Sequence, residues 1–291
     1  MVEELGYDSV WLYDHFYPMC KESGWSILEP WTALSYLASI EGEIRIGIMV
    51  TCNSYRSPAI LAKIASTVDV VSGGRLEFGI GAGWFRDEYE AYGIPFLSAA
   101  IRIEQLDEAV ELIKKIWTQD KVTYEGKYYR VKDLIAYPKP AQKPHPPIWI
   151  GGSGDKLLRV TAKHADYSNF VNIDPERYEE RLKALKRRCD EVGRSFDEIV
   201  KTWHGFAAIG DEESVKRRVS RFMKTTTIYD ISRMSFEDFL GRMIAGSPDK
   251  CIEKIQRFVD LGVTYFIPHF LFDRELRDAE TFIKEVAPSF R

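Results

Sequence analysis

The residues most able to do chemistry stand in Tyr13-Asp14-His15-Phe16, directly after the strand-like run Asp8–Tyr13. Histidine titrates near neutrality and can carry a proton, and barrel enzymes keep such residues at the C-terminal ends of strands. A histidine beside an aspartate is also a common structural hydrogen-bonded pair, so both readings stay open on the tetrapeptide alone. Two glycine clusters likewise follow strands. Gly79-Ile80-Gly81-Ala82-Gly83-Trp84 fails as a dinucleotide fingerprint, which needs glycine where Trp84 stands. Gly151-Gly152-Ser153-Gly154-Asp155-Lys156 lacks the Gly-Lys-Ser/Thr ending of a P-loop. It still places small residues and free backbone N–H groups at a helix start, which suits a phosphate or an ordinary tight turn. In Ile48-Met49-Val50-Thr51-Cys52-Asn53 an apolar strand ends in polar residues. Thr51 and Asn53 can hydrogen-bond a ligand or serve turn chemistry.

Other chemistries find little support. The histidines (His15, His145, His164, His204, His269) are scattered without an HxxxH spacing, so no metal site is expected. His269 ends the last strand and could face the same mouth as His15, whereas His164 lies late in a helix, a structural placement. No GxSxG elbow announces a serine hydrolase, and the basic stretch Arg181–Arg188 reads as the solvated face of a helix.

The elements that must position these residues alternate along the chain. Strands are expected at Asp8–Tyr13, Ile44–Thr51, Leu76–Ile80, Ile148–Gly151, Tyr167–Val171, Ile199–Phe206 and Tyr265–Phe270. Helices are expected at Thr32–Ile40, Ser57–Ser72, Arg102–Trp117, Asp155–His164, Pro175–Glu191, Glu212–Lys224, Lys250–Leu261 and Glu280–Val286. Ser57-Pro58 opens its helix as a cap followed by proline. Apolar strands without polar alternation suit a parallel sheet buried on both faces, and strict alternation of strand and helix suits α/β. The pattern leaves an open doubly wound sheet or a (β/α)8 barrel. Seven core strands can be placed, where a closed barrel needs about eight. The opening turn Val2–Leu5 ends at Gly6, so a first strand and most of a first helix are expected to be missing. Val122–Val131 reads as a hairpin inserted in a loop, followed by the proline-rich arm Pro138–Pro147. A second insertion, Thr225–Ser247, carries Met234, Phe236, Phe239 and Met243 and is expected to serve as a lid or an oligomer contact.

Composition bounds the rest. The 291 residues are 45% hydrophobic, enough for a sizeable core, and no linker divides residues 1–291, so one domain is expected. Forty basic against forty-four acidic residues give no basic excess with which to grip nucleic acid. No apolar run reaches the roughly 18 residues of a membrane span, and no secretory signal opens the chain. Four scattered cysteines (Cys20, Cys52, Cys189, Cys251) fit reduced thiols in a cytoplasmic protein.

Taken in order, Gly6-Tyr7-Asp8-Ser9-Val10-Trp11, Asp14-His15-Phe16, Tyr55-Arg56-Ser57-Pro58-Ala59, Ser72-Gly73-Gly74-Arg75, Gly79–Trp84, Ile150–Gly154 and Gly246-Ser247-Pro248-Asp249 resemble the bacterial luciferase-like monooxygenase family. The resemblance runs from Leu5 to Arg291 and is narrowest to the branch that uses the deazaflavin coenzyme F420. It implies a TIM (β/α)8 barrel lacking its first strand and most of its first helix, with inserted hairpin and lid segments. It also implies an oxidoreductase that moves a hydride between F420 and an unidentified small organic substrate. An FMN-dependent monooxygenase and a non-catalytic cofactor-binding relative are the alternatives. In the family, the positions matching Asp14 and His15 contact the ring, and the histidine is a proposed proton donor. A non-proline cis peptide near Met49 and Val50 bulges behind the ring, and Thr51, Ala82 and Gly83 match cofactor-binding positions, with Asn53 expected to join them. Gly152, Ser153 and Gly154 match the cofactor-phosphate end. A homodimer is the assembly expected by analogy. The sugar-phosphate dehydrogenases of the family carry glutamate where Trp84 stands and tryptophan where Met19 stands, so their substrate set is absent here.

Overall fold

A computed structural model describes residues 2–18, 26–271 and 275–290. Met19 and Cys20 therefore lie outside the described residues. In chain order the strands are β1 (Ser9–Leu12), β2 (Arg45–Ile48), β3 (Thr51–Cys52), β4 (Leu76–Gly81), β5 (Val122–Glu125), β6 (Arg130–Leu134), β7 (Ile148–Gly151), β8 (Tyr167–Val171), β9 (Val200–Ile209), β10 (Ile244–Gly246) and β11 (Val263–Phe270). The helices are α1 (Pro30–Ala38), α2 (Pro58–Val71), α3 (Arg86–Ala91), α4 (Ala99–Thr118), α5 (Asp155–His164), α6 (Pro175–Val192), α7 (Glu212–Thr225), α8 (Tyr229–Arg233), α9 (Phe236–Arg242), α10 (Pro248–Val259) and α11 (Glu275–Thr281).

The fold is α/β. One parallel sheet runs in the order β1-β2-β4-β7-β8-β9-β10, with β3 on β4 and β11 on β9. Every residue of β4 is buried, as expected of a strand covered on both faces. The sheet curls. No backbone ladder joins β1 to β11 among the described residues, yet Tyr265 donates from its hydroxyl to Ser9 Oγ (2.7 Å), and Tyr7 donates to the Ala279 carbonyl (2.9 Å). Inside the curl the floor is packed solid. Trp149 stacks on Tyr167 (4.0 Å between centroids), meets Trp11 and Tyr265 edge-on, and donates its indole N–H to buried Glu77. Side chains fill the interior below the strand ends, as in a barrel core.

All seven expected strands form, Ile148–Gly151 and Tyr167–Val171 with the expected ends and the others with shifted ends, and β5 and β6 make the expected antiparallel hairpin. The run expected as one strand, Ile44–Thr51, is split into β2 and β3 by a bulge at Met49-Val50, where the peptide bond is cis. Ser57 does stand at the cap position of α2, but its side chain makes no capping bond. Two regions differ from expectation. The polar hexapeptide Arg86–Ala91 forms a helix, although it carries no apolar period. Thr225–Ser247, expected as an insertion serving as a lid or an oligomer contact, contains α8, α9 and the short parallel strand β10, none of them assigned from the sequence. The reason is burial: Phe239 and Met243 sink against Phe206 and Phe222, so this segment folds onto the end of β9.

Candidate active site

Strands β1, β2/β3, β4 and β7 are neighbours in the sheet, so their C-terminal ends form one continuous rim. Asp14 and His15 follow β1, Met49 and Val50 form the bulge, and Thr51 and Asn53 lie in or just after β3. Ala82 and Gly83 follow β4, and Gly152, Ser153 and Gly154 lie between β7 and α5. The structure thus gathers every site residue that the sequence suggests onto one edge.

His15 is held by a residue the sequence reading missed. Its Nδ1–H donates to Glu88 Oε2 at 2.9 Å. The Glu88 side chain is fully buried, and that of His15 is 14% exposed. Glu88 also accepts from the Phe16 and Tyr17 backbone N–H groups (2.8 and 2.9 Å) and from the Tyr55 hydroxyl (2.6 Å). Burial raises the Glu88 carboxyl, but the donors, His15 first, outweigh it and hold the group below its ordinary value. An ionised acceptor on Nδ1 fixes the imidazole tautomer and leaves the ring's other lone pair on Nε2. Among the described residues Nε2 has no hydrogen-bond partner.

Asp14 does different work. Both its oxygens are taken, by the Arg56 guanidinium (2.8 and 3.0 Å) and by the Cys52 N–H (2.8 Å). Burial raises the carboxyl, and Arg56 and the Cys52 N–H oppose that rise. Arg56 in turn reaches Glu29 at the start of α1. The pair locks the end of β1 to β3 and α2. A buried charge with its partner removed is strongly destabilising, so this lock is a positioning device. Burial pushes the Cys52 thiol up to about 12, so it is not a nucleophile here.

The bulge is seated on glycines. Val50 packs over Gly81 and Gly151, where an added Cβ would lie 2.7 and 3.0 Å from its methyl groups, and at Gly79 it would overlap the Ile48 carbonyl oxygen. Asn169 on β8 donates its amide N–H to Met49 Sδ at 2.9 Å. The backbone at 49–50 is therefore supported from three strands. Gly83 has φ +76°, and a Cβ there would overlap the Tyr89 hydroxyl.

Two polar atoms on the rim stand out. Thr51 Oγ1 and Asn53 Oδ1 are buried without a hydrogen-bond partner among the described residues, although Asn53 Nδ2 donates to the Tyr129 hydroxyl (3.1 Å). Buried polar atoms are nearly always paired, so an unpaired hydroxyl and an unpaired acceptor two residues apart point to a ligand. At the far end of the rim, Gly154 caps α5 without a side-chain bond, leaving the helix's first N–H groups available.

The family model for luciferase-like monooxygenases matches residues 1–265. The chain belongs to that family. Within it, an F420-dependent glucose-6-phosphate dehydrogenase of Microbacterium testaceum is 30% identical over 315 residues, covering 100% of this chain and 91% of that protein. The chain is an oxidoreductase of the luciferase-like family. An FMNH(2)-dependent dimethylsulfone monooxygenase of Pseudomonas putida is 38% identical over 136 residues, covering 47% of this chain and 36% of that protein. An F420-dependent secondary alcohol dehydrogenase, solved in complex with an F420-acetone adduct, superposes with a TM-score of 0.88 at 22% identity, covering 100% of this chain and 92% of that one. That likeness is one of fold, and it places this chain's curled sheet among luciferase-like barrels.

Proposed function

We propose that the rim binds coenzyme F420 and that the chain transfers a hydride between it and a small organic substrate. The observation that carries this reading is the pair of unpartnered buried atoms, Thr51 Oγ1 and Asn53 Oδ1, on the edge that also presents His15. The residues fit the group: a hydroxyl and an amide oxygen for the polar edge of a ring, a bulge at Val50 seated on glycines, and an uncapped helix start for a phosphate. When bound, the deazaflavin supplies the carbon that carries the hydride.

The protein's own part is positioning and proton control. Glu88 holds His15 Nδ1–H, and Nε2 gives or takes the proton that accompanies hydride transfer at the substrate. The Asp14–Arg56 pair keeps the loop carrying His15 fixed against β3. Val50 supports one face of the rim, and Gly152, Ser153 and Gly154 lead the chain to the N–H groups of α5. Gly83, next to Ala82, leaves room where a side chain would crowd Tyr89 and Cys52.

The test is a fluorescence titration of the purified protein with F420 and, separately, with FMN. Saturable F420 binding, tighter than FMN, is the expected result. FMN binding without F420 binding would favour the second reading, an FMN-dependent monooxygenase, which the 38% identical segment of the Pseudomonas putida protein supports. Binding of neither would overturn both.

A further inference from the structure

Trp84 is the first residue beyond the Ala82-Gly83 turn at the mouth of β4, and it faces His15. The indole meets the imidazole edge-on, at 5.5 Å between centroids and 70° between planes. Behind it Phe85 stacks at 5.1 Å and 16° and also meets His15 edge-on at 5.8 Å. Yet Trp84 remains 48% exposed. A large aromatic side chain this open, braced by a second ring and set beside a histidine with a bare Nε2, has no packing duty that explains it. Three arginines of the neighbouring segments already have partners. Arg56 serves Asp14 and Glu29, Arg102 lies over the Phe96 ring (4.0 Å) and donates to the Leu97 carbonyl, and Arg86 lies over the same ring (4.8 Å).

We propose that Trp84 is a specificity residue: its exposed indole stacks a planar, uncharged aromatic or conjugated substrate beside His15 Nε2, and the site does not take a sugar phosphate. The proposal rests on the reading of the rim as a redox site and adds the class of substrate. An aromatic wall gains from stacking a flat ring, and a dianionic phosphate without a matching cation loses its hydration for nothing. The inference runs against the first relative named above, whose activity is on a sugar phosphate.

The experiment uses the whole chain and two probes, 2-acetylnaphthalene and glucose 6-phosphate, followed by saturation-transfer NMR and titrated to a dissociation constant with and without F420. The expected result is saturable binding of the naphthyl ketone, roughly tenfold weaker in Trp84→Ala and within threefold in Trp84→Phe. Glucose 6-phosphate should show no binding. Trp84 is on the surface, and a thermal melt checks that each variant is folded. Three results would overturn the proposal: no saturable binding of the ketone, equal binding by Trp84→Ala and the parent, or sugar phosphate bound as tightly as the ketone. F420 affinity, measured on the same samples, separates the two readings. Trp84-dependent ketone binding without any F420 binding removes the cofactor and keeps the substrate wall. F420 binding without ketone binding does the reverse.

Discussion

His15 lies beyond β1, and His204 and His269 lie on β9 and β11, where Tyr13, two residues before His15, reaches across to both. The Tyr13 hydroxyl is 2.9 Å from His204 Nε2 and 2.7 Å from His269 Nδ1, so one ring accepts its proton and the other donates to it. Burial drives these two histidines down to about 3 and about 4, and neither carries charge at neutral pH. His15 sits against an ionised, fully buried glutamate and keeps one nitrogen bare. The same residue type is thus neutral filling in one half of the mouth and, on the proposed reading, the proton carrier in the other. What separates them is the partner and the access, a carboxylate with a free face against a phenol in a sealed layer.

The comparison can be broken or sharpened experimentally. The largest effect belongs to His15→Ala, which should lower turnover by ~10²–10⁴-fold while F420 affinity stays within a few-fold. Unchanged turnover, measured with any reducible substrate, would remove His15 from proton transfer. Next comes pH. His204 and His269 have folded pKa values below their unfolded values, so the unfolded chain binds more protons as pH falls below about 6.5. Stability should be fully present above that pH and fall by about 1.4 kcal/mol per unit for each histidine between about pH 6 and 5. His164, also lowered by burial, adds in the same direction. Urea midpoints at pH 5, 6 and 7 read this slope, and His204→Gln with His269→Gln should flatten it; an equally steep profile in the double variant would contradict the buried-neutral assignment. Tyr13→Phe removes the bond shared by both rings and should cost roughly 1–3 kcal/mol in the same assay, with His15-dependent chemistry little changed. The smallest effect is that of Thr51→Val. Deleting an unpartnered buried hydroxyl should leave the cofactor-free protein as stable or slightly more so, and weaken F420 several-fold. A clear loss of stability would mean that Thr51 serves the fold and not a ligand.

The rim was legible because its carriers are local. Asp14-His15, the glycines at 81, 83, 151, 152 and 154, and the polar end Thr51-Cys52-Asn53 all sit at or just beyond strand ends, and the sequential strand order is that of a barrel, one of the two topologies alternation leaves open. Glu88 was not legible. It lies in Arg-Asp-Glu-Tyr-Glu-Ala, a polar stretch with no period, where its charge resembles any surface glutamate; only its place, seven residues past the end of β4, hinted at the mouth. The lock between Asp14 and Arg56 joins residues remote in sequence, and no spacing rule couples them. β10 escaped because a three-residue strand is too short to show a pattern, and its pairing with β9 is a tertiary event. Trp84 was read as a departure from a fingerprint, and its exposure beside His15 needed the fold to be seen.

The most direct measurement is a crystal structure of the protein grown with F420. The account predicts the flat ring along the ends of β1, β3 and β4, with Thr51 Oγ1 and Asn53 Oδ1 each hydrogen-bonded to it and His15 Nε2 facing the open side. Density for the ring against Tyr13, His204 and His269 instead, or a complex in which Thr51 and Asn53 stay unpartnered, would contradict it.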